Sequence, residues 1–271
     1  MSPPDFSIIM CSIDAGKFAR ISESWRHLFR QHSHEIIGIH DATSLAEGYN
    51  RGIAQSSGGT LIFSHDDILI LDDDFPNKIA ARLRQFDLLG FAGTDKLITA
   101  PWFGAGQPHL HGVAGHARPG QPDCDLTIYG AATWPVVAGI HALDGLCMIA
   151  RRELAETIRF DAGNFDGFHL YDLDFSFRSY LAGYQLGVCC DIPVLHESTG
   201  NYAGGNHTLY AERFLLKYAD PLGKYAGEEF DVQRPGRTAS FRDHHTLLRA
   251  WQPEIITRTT LALRRDCPKG T

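Results

Sequence analysis

Along the first third of the chain, hydrophobic positions alternate between two periods. Residues 6–12 (FSIIMCS) form a short, β-rich apolar run that predicts a strand. Over 18–32 the apolar residues fall at Ile21, Trp25, Leu28 and Phe29, the spacing of one helix face. Residues 35–40 (EIIGIH) predict a second strand. Over 44–56, Leu45, Tyr49 and Ile53 share a helix face. Ser44 is placed to start that helix, with Glu47 completing a capping box, and Gly58-Gly59 ends it. The fully apolar run 60–64 (TLIFS) predicts a third strand, leading directly into His65-Asp66-Asp67. A helix over 74–86 and a strand over 88–93 follow.

This βαβαβ order predicts an α/β fold with a single, mostly parallel central sheet flanked by helices. Crossovers should be right-handed. Ligands of such sheets bind beyond the carboxyl ends of the strands. Ser12, Asp41 and the His-Asp-Asp cluster are therefore expected on one edge.

The segment 104–134 is rich in Gly, Pro and His and has little periodicity. It reads as a long excursion carrying a hairpin, and a segment of that length inside a compact domain is more often functional than idle. Pattern returns over 136–149, with strand signals around Asp144-Gly145. Helices are predicted over 152–158 and 171–182, the second closed by Gly183. Residues 185–190 read as a last strand, 192–196 as its continuation or a turn, and 212–218 as a helix. From 227 the signal weakens to helices at 247–251 and 255–263. The expected organisation is one domain over 1–226, with a C-terminal helical extension over 227–271 packed on it.

Composition narrows the function. The 271 residues are 44% hydrophobic and 21% charged, ordinary values for a globular chain. Lys plus Arg number 25 against 32 Asp plus Glu, a net charge of -7. Such a balance disfavours a nucleic-acid partner, which needs basic side chains to displace counterions. No run approaches the ~20 apolar residues of a membrane span. The start, MSPPDFSIIMCSID, lacks the basic n-region of a signal peptide. None of the six cysteines shows CxxC spacing, so they read as reduced, apolar-packed thiols of a cytoplasmic protein.

Three clusters can carry chemistry. His65-Asp66-Asp67, at a strand's carboxyl end, offers oxygen ligands to a hard cation; its bland alternative is a solvated acidic turn. His169-x-Tyr171-Asp172-x-Asp174 opens a helix, where acids often only cap free amides, but one carboxylate facing the first cluster would suit a general base. His196 follows the last strand and leads into a Gly-rich stretch. No GxxxxGK[ST], no GxGxxG after the first strand and no GxSxG occurs, which disfavours P-loop, dinucleotide and nucleophile-elbow sites. Cys11 is read as packing rather than as a nucleophile.

Taken together, FSIIMCS, SLAEGYNRGIAQSSGGTLIFSHDD, HALDGLCMIARRE, FDAGNFDGFHLYDLDFSFRSYLAGYQLGV and VLHESTG resemble, in order, the segments of a family-2-type glycosyltransferase with a GT-A fold. The resemblance is to the branch related to the streptomycin-biosynthesis glycosyltransferase-like domain. His65 stands where the family's metal motif usually has its first Asp, and Tyr171-Asp172 where it has Glu-Asp. The resemblance implies an inverting, metal-dependent hexosyltransferase using a nucleotide-diphosphate sugar donor and a small-molecule, glycan or peptide acceptor. It implies Mn²⁺ or Mg²⁺ on Asp67 and His196, with Asp172 as catalytic base. Cys11, Ser12, Asp41, Asn50, His65 and Asp66 would lie by the nucleotide; Asp144, Gly145 and Tyr171 by the sugar and acceptor. A nucleotidyltransferase is disfavoured because SIDAGKFAR lacks a Gly-rich, basic loop. A non-catalytic nucleotide-sugar-binding module is the other alternative.

Overall fold

The computed structural model describes residues 4–117, 124–130, 135–198, 206–228 and 237–241. Strands β1 (Phe6–Cys11), β2 (His34–Ile39) and β3 (Thr60–Ser64) alternate with helices α1 (Ala15–Leu28) and α2 (Leu45–Gln55). Asp14 starts α1 by accepting from the amides of Gly16 and Lys17. Ser44 starts α2, its Oγ accepting from the Glu47 amide at 3.1 Å. The Glu47 carboxylate accepts in return from the Thr43 amide at 3.2 Å. This is the capping box displaced by one residue.

After β3 come β4 (Ile68–Ile70), α3 (Phe75–Arg82), β5 (Leu88–Gly90) and β6 (Ala92–Thr94). A 3-10 turn (Trp102–Ala105) leads into the excursion, which holds an antiparallel hairpin of β7 (Leu110–Ala117) and β8 (Cys124–Gly130). The chain continues through β9 (Val136–Ala138), β10 (Ala142–Leu143), β11 (Cys147–Arg151), α4 (Arg152–Ile158), α5 (Tyr171–Leu181), β12 (Leu186–Cys189) and β13 (Val194–His196). Helices α6 (Asn206–Lys217) and α7 (Ala219–Gly223) and strand β14 (Arg237–Phe241) follow.

Two of the fold expectations need correction. Among the described residues there are two sheets, not one, and the first is mixed rather than mostly parallel. Its order is β2-β1-β3-β11-β5-β12-β9. β1 pairs parallel with β2 and β3, and β12 with β5. β11 enters antiparallel between β3 and β5, and β9 caps β12 antiparallel. The second sheet runs β10-β6-β7-β13-β4, with β8 on β7 and β14 on β8. The strand expected over 88–93 divides at Phe91: β5 stays in the first sheet and β6 crosses to the second. Both pieces are buried, so no polar residue marks the break. The tail helices expected at 247–251 and 255–263 lie outside the described residues.

Successive residues of the first sheet feed opposite cores. Ile9, Leu61, Phe63, Leu88 and Met148 pack with α2 and α5 on one face. Ile8, Met10, Ile62, Leu89 and Ile149 pack with α1 and α3 on the other. Burial on both faces leaves the strand ends as the place where polar side chains can converge. Among the described residues, no helix is long and apolar enough to cross a membrane.

Candidate active site

A cleft of about 460 Å³ opens at these strand ends. β1 delivers Cys11 and Ser12 to it, β3 delivers His65, Asp66 and Asp67, and β13 delivers His196. The turn between β10 and β11 brings Asp144 and Gly145, and the first turn of α5 brings Tyr171 and Asp172. α5 is entered through Leu170 at φ 61°, a left-handed conformation that costs a non-glycine residue strain.

One corner of the cleft gathers metal-ligating groups. His65, Asp67 and His196 each present a ligand atom within 4.8 Å of the others. His196 Nε2 lies 3.2 Å from Asp67 Oδ1, an ion-pair distance without hydrogen-bond alignment, so Oδ1 remains a buried acceptor with no donor. Burial pushes the Asp67 carboxyl up, but the adjoining His196 and His65 imidazoles outweigh it and hold it at about 2. Burial and His196 both hold His65 below the usual imidazole range, toward the neutral form that a metal ligand needs. An orphaned carboxylate oxygen flanked by two imidazoles fits a divalent cation. The nitrogen donors favour Mn²⁺ over Mg²⁺, which prefers an oxygen shell. Beside this corner, the Ser12 hydroxyl donates to Asp66 Oδ2 at 2.6 Å.

Another corner holds two carboxylates. Asp172 Oδ2 accepts from the Gly145 amide at 2.7 Å. Asp144 accepts from the Leu146 amide and from Trp102 Nε1, each at 3.0 Å. Position at a helix N-terminus predicts an ionised Asp172. Burial, and then repulsion from Asp144, reverse that expectation and raise its carboxyl to about 7. Gly145 is required here: a Cβ would come within 2.6 Å of both Asp172 Cβ and Tyr171 Oη.

The sequence of residues 7–218 matches the family model described as "Glycosyltransferase like family". The chain belongs to this glycosyltransferase-like family. No curated protein matches it in sequence. Among solved structures it is similar to the mannosyltransferase PcManGT of Pyrobaculum calidifontis, in complex with GDP-Man and Mn²⁺. That match has 11% identity and a TM-score of 0.48, covering 100% of this chain and 77% of that one. For Staphylococcus aureus TarS (residues 1–349) the identity is 12% and the TM-score 0.43, with coverage of 86% and 76%. For Drosophila β1,4-galactosyltransferase 7, with manganese, UDP-Gal and xylobiose, the values are 13% and 0.39, with coverage of 74% and 68%.

For this glycosyltransferase-like chain, most residues singled out in the sequence reach one cleft, but Asp41, Asn50 and Asp174 do not. Asp41 is exposed and paired with Arg51 Nη2 at 2.8 Å. Asn50 spends its amide on the Phe160 backbone, donating at 2.8 Å and accepting at 3.0 Å. It fastens α2 to the loop after α4 and does not line the cleft. Cys11 lines the cleft as a thiol: burial, then the Glu47 charge, push it up to about 12. Asp174 turns away, binding Arg178 Nε at 2.8 Å and Lys217 Nζ and Tyr218 Oη at 2.5 Å each. The sequence singles out no residue of the excursion, yet His116 and Tyr129 within it line the cleft, as do Trp102 and Phe103 just before it. Its Gly, Pro and His content was the only signal.

Proposed function

We propose that this chain is an inverting glycosyltransferase that moves a sugar from a nucleotide-diphosphate donor to an acceptor hydroxyl with a divalent cation. The order of its motifs supports the branch related to the streptomycin-biosynthesis glycosyltransferase-like domain and a GT-A-type architecture. The observation carrying the reading is that one cleft holds both the His65-Asp67-His196 cluster and a half-buried carboxylate, Asp172, raised toward neutrality beside Asp144. A general base is most effective when its pKa lies near the working pH.

Asp172 accepts the proton of the acceptor hydroxyl. The hydroxyl oxygen forms its bond to the anomeric carbon as the carbon–oxygen bond to the diphosphate breaks, and the diphosphate leaves with that electron pair. The Gly145 amide holds Asp172 Oδ2, leaving Oδ1 for the hydroxyl. Asp67, His65 and His196 would hold the cation, which neutralises charge developing on the diphosphate. Trp102 fixes Asp144 beside the sugar and acceptor.

Titrating nucleoside diphosphates with and without Mn²⁺, then assaying donor hydrolysis and transfer, tests this. Mn²⁺ should strengthen nucleotide binding in the wild type, and Asp67→Asn should abolish that gain. Mn²⁺-dependent binding without turnover of any donor would favour a binding module. Binding indifferent to Mn²⁺ contradicts the cation's role.

A further inference from the structure

His65 Nε2 lies 2.8 Å from the Tyr171 hydroxyl, which in turn lies 3.4 Å from the Gly145 carbonyl oxygen. A tyrosine hydroxyl carries one proton and a backbone carbonyl carries none. With that proton donated to Gly145, the Tyr171 oxygen accepts from His65 Nε2–H. The lone pair of His65 is then on Nδ1, the nitrogen that Tyr171 does not engage, while one ring nitrogen of His65 lies within 4.8 Å of the Asp67 and His196 ligand atoms. In the opposite arrangement Nδ1 would carry a hydrogen and could not ligate. Metal-binding histidines characteristically have their second nitrogen fixed by an oxygen acceptor of this sort.

We propose that Tyr171 is the positioning residue of the cation site: anchored on the Gly145 carbonyl, it fixes the ring and tautomer of His65 so that Nδ1 faces the cation. This rests on the proposed function but reassigns Tyr171, which the sequence resemblance places with the sugar and acceptor. Tyr171 is 3% exposed, and its hydroxyl is committed to His65 and Gly145, which argues against a substrate-facing role. His65 and Tyr171 are also the two departures from the family pattern, and they touch each other. Gly145 ties the device to the base, since its amide holds Asp172 while its carbonyl receives Tyr171.

The test reads Mn²⁺ binding to the full chain by the electron paramagnetic resonance signal of free Mn²⁺, with no donor present. Tyr171→Phe removes only the hydroxyl, so the circular dichroism spectrum should be unchanged while Mn²⁺ affinity falls ~10–100-fold. In a His65→Ala background the same substitution should cost nothing further, because Tyr171 acts through His65. Independently of any variant, two-bond ¹⁵N–¹H correlation of the metal-free protein should show His65 protonated at Nε2. Wild-type affinity in Tyr171→Phe, an equal loss in the His65→Ala background, or a hydrogen on Nδ1 would each overturn the inference while leaving the proposed function standing. A wild type that binds no Mn²⁺ would overturn both.

Discussion

Two carboxylates on α5, the half-buried Asp172 and the fully buried Asp174, have opposite neighbours. Asp174, 0% exposed, meets Arg178, Lys217 and the Tyr218 hydroxyl. Its charge is compensated, and it braces α5 against α6. Asp172 meets another carboxylate, Asp144, and its near contact is a backbone amide. Burial beside opposite charge makes a structural joint; burial beside like charge makes a group that readily takes a proton. Sequence spacing alone does not separate the two, because both sit in the first turn of one helix.

Neutralising the two residues separately should sharpen the contrast. Asp172→Asn should lower turnover ~10²–10⁴-fold, the usual worth of a general base. Its effect on stability should have the opposite sign. A carboxyl raised to about 7 contributes fully only below the ordinary carboxylate range, and that contribution is lost as pH rises through about 7. At pH 8 the Asn variant should therefore unfold at a urea concentration no lower than the wild type. Asp174→Asn should reverse the pattern. It takes the buried carboxylate from Arg178 and leaves Lys217 with Asp161 alone, and should cost ~1–3 kcal/mol in urea unfolding. Turnover per folded molecule should survive, measured well below the melting temperature. Asp174→Asn losing turnover while keeping stability would break the comparison.

A smaller effect sets the scale for an ordinary structural contact. Ser44→Ala removes the side-chain cap of α2, touches neither carboxylate, and should cost ~1 kcal/mol by urea unfolding.

The first half of the fold was legible because its elements are long enough to show a period. The strand at 60–64 and the helix capped by Ser44 have the extents their patterns predict. The second sheet was not. Its strands β4, β6 and β13 are three residues each and β10 two, too short to display a period of two. Their identity comes from partners distant in sequence, as when β13 pairs with both β4 and β7. β11 looks like any apolar strand, and nothing local says that it runs against β3. The cleft divides in the same way. The strand-end argument leads to Ser12, Asp67, Asp144 and His196, whose side chains follow strands directly. It misleads for Asp41, which meets a local cation, Arg51, before it can reach the cleft. His116 and Tyr129 escaped because their hairpin is placed by the pairing of β7 with β6 and β13, which lie outside it, and Trp102 because it sits in a short 3-10 turn without a periodic signal. The ionisation of Asp172 escaped because it depends on burial and on Asp144, neither of which belongs to its own helix.

The most direct measurement is the pH dependence of kcat/KM for wild type and Asp144→Asn at saturating Mn²⁺. The base must be deprotonated to accept the acceptor's proton, so the wild-type rate should rise with pH through a midpoint near 7 and then level. Removing the Asp144 charge removes one of the two forces that raise Asp172, so the midpoint should move to lower pH. A wild-type profile with no rising limb, or a midpoint that Asp144→Asn leaves in place, would contradict the account of Asp172 as a base poised by burial and a like-charged neighbour.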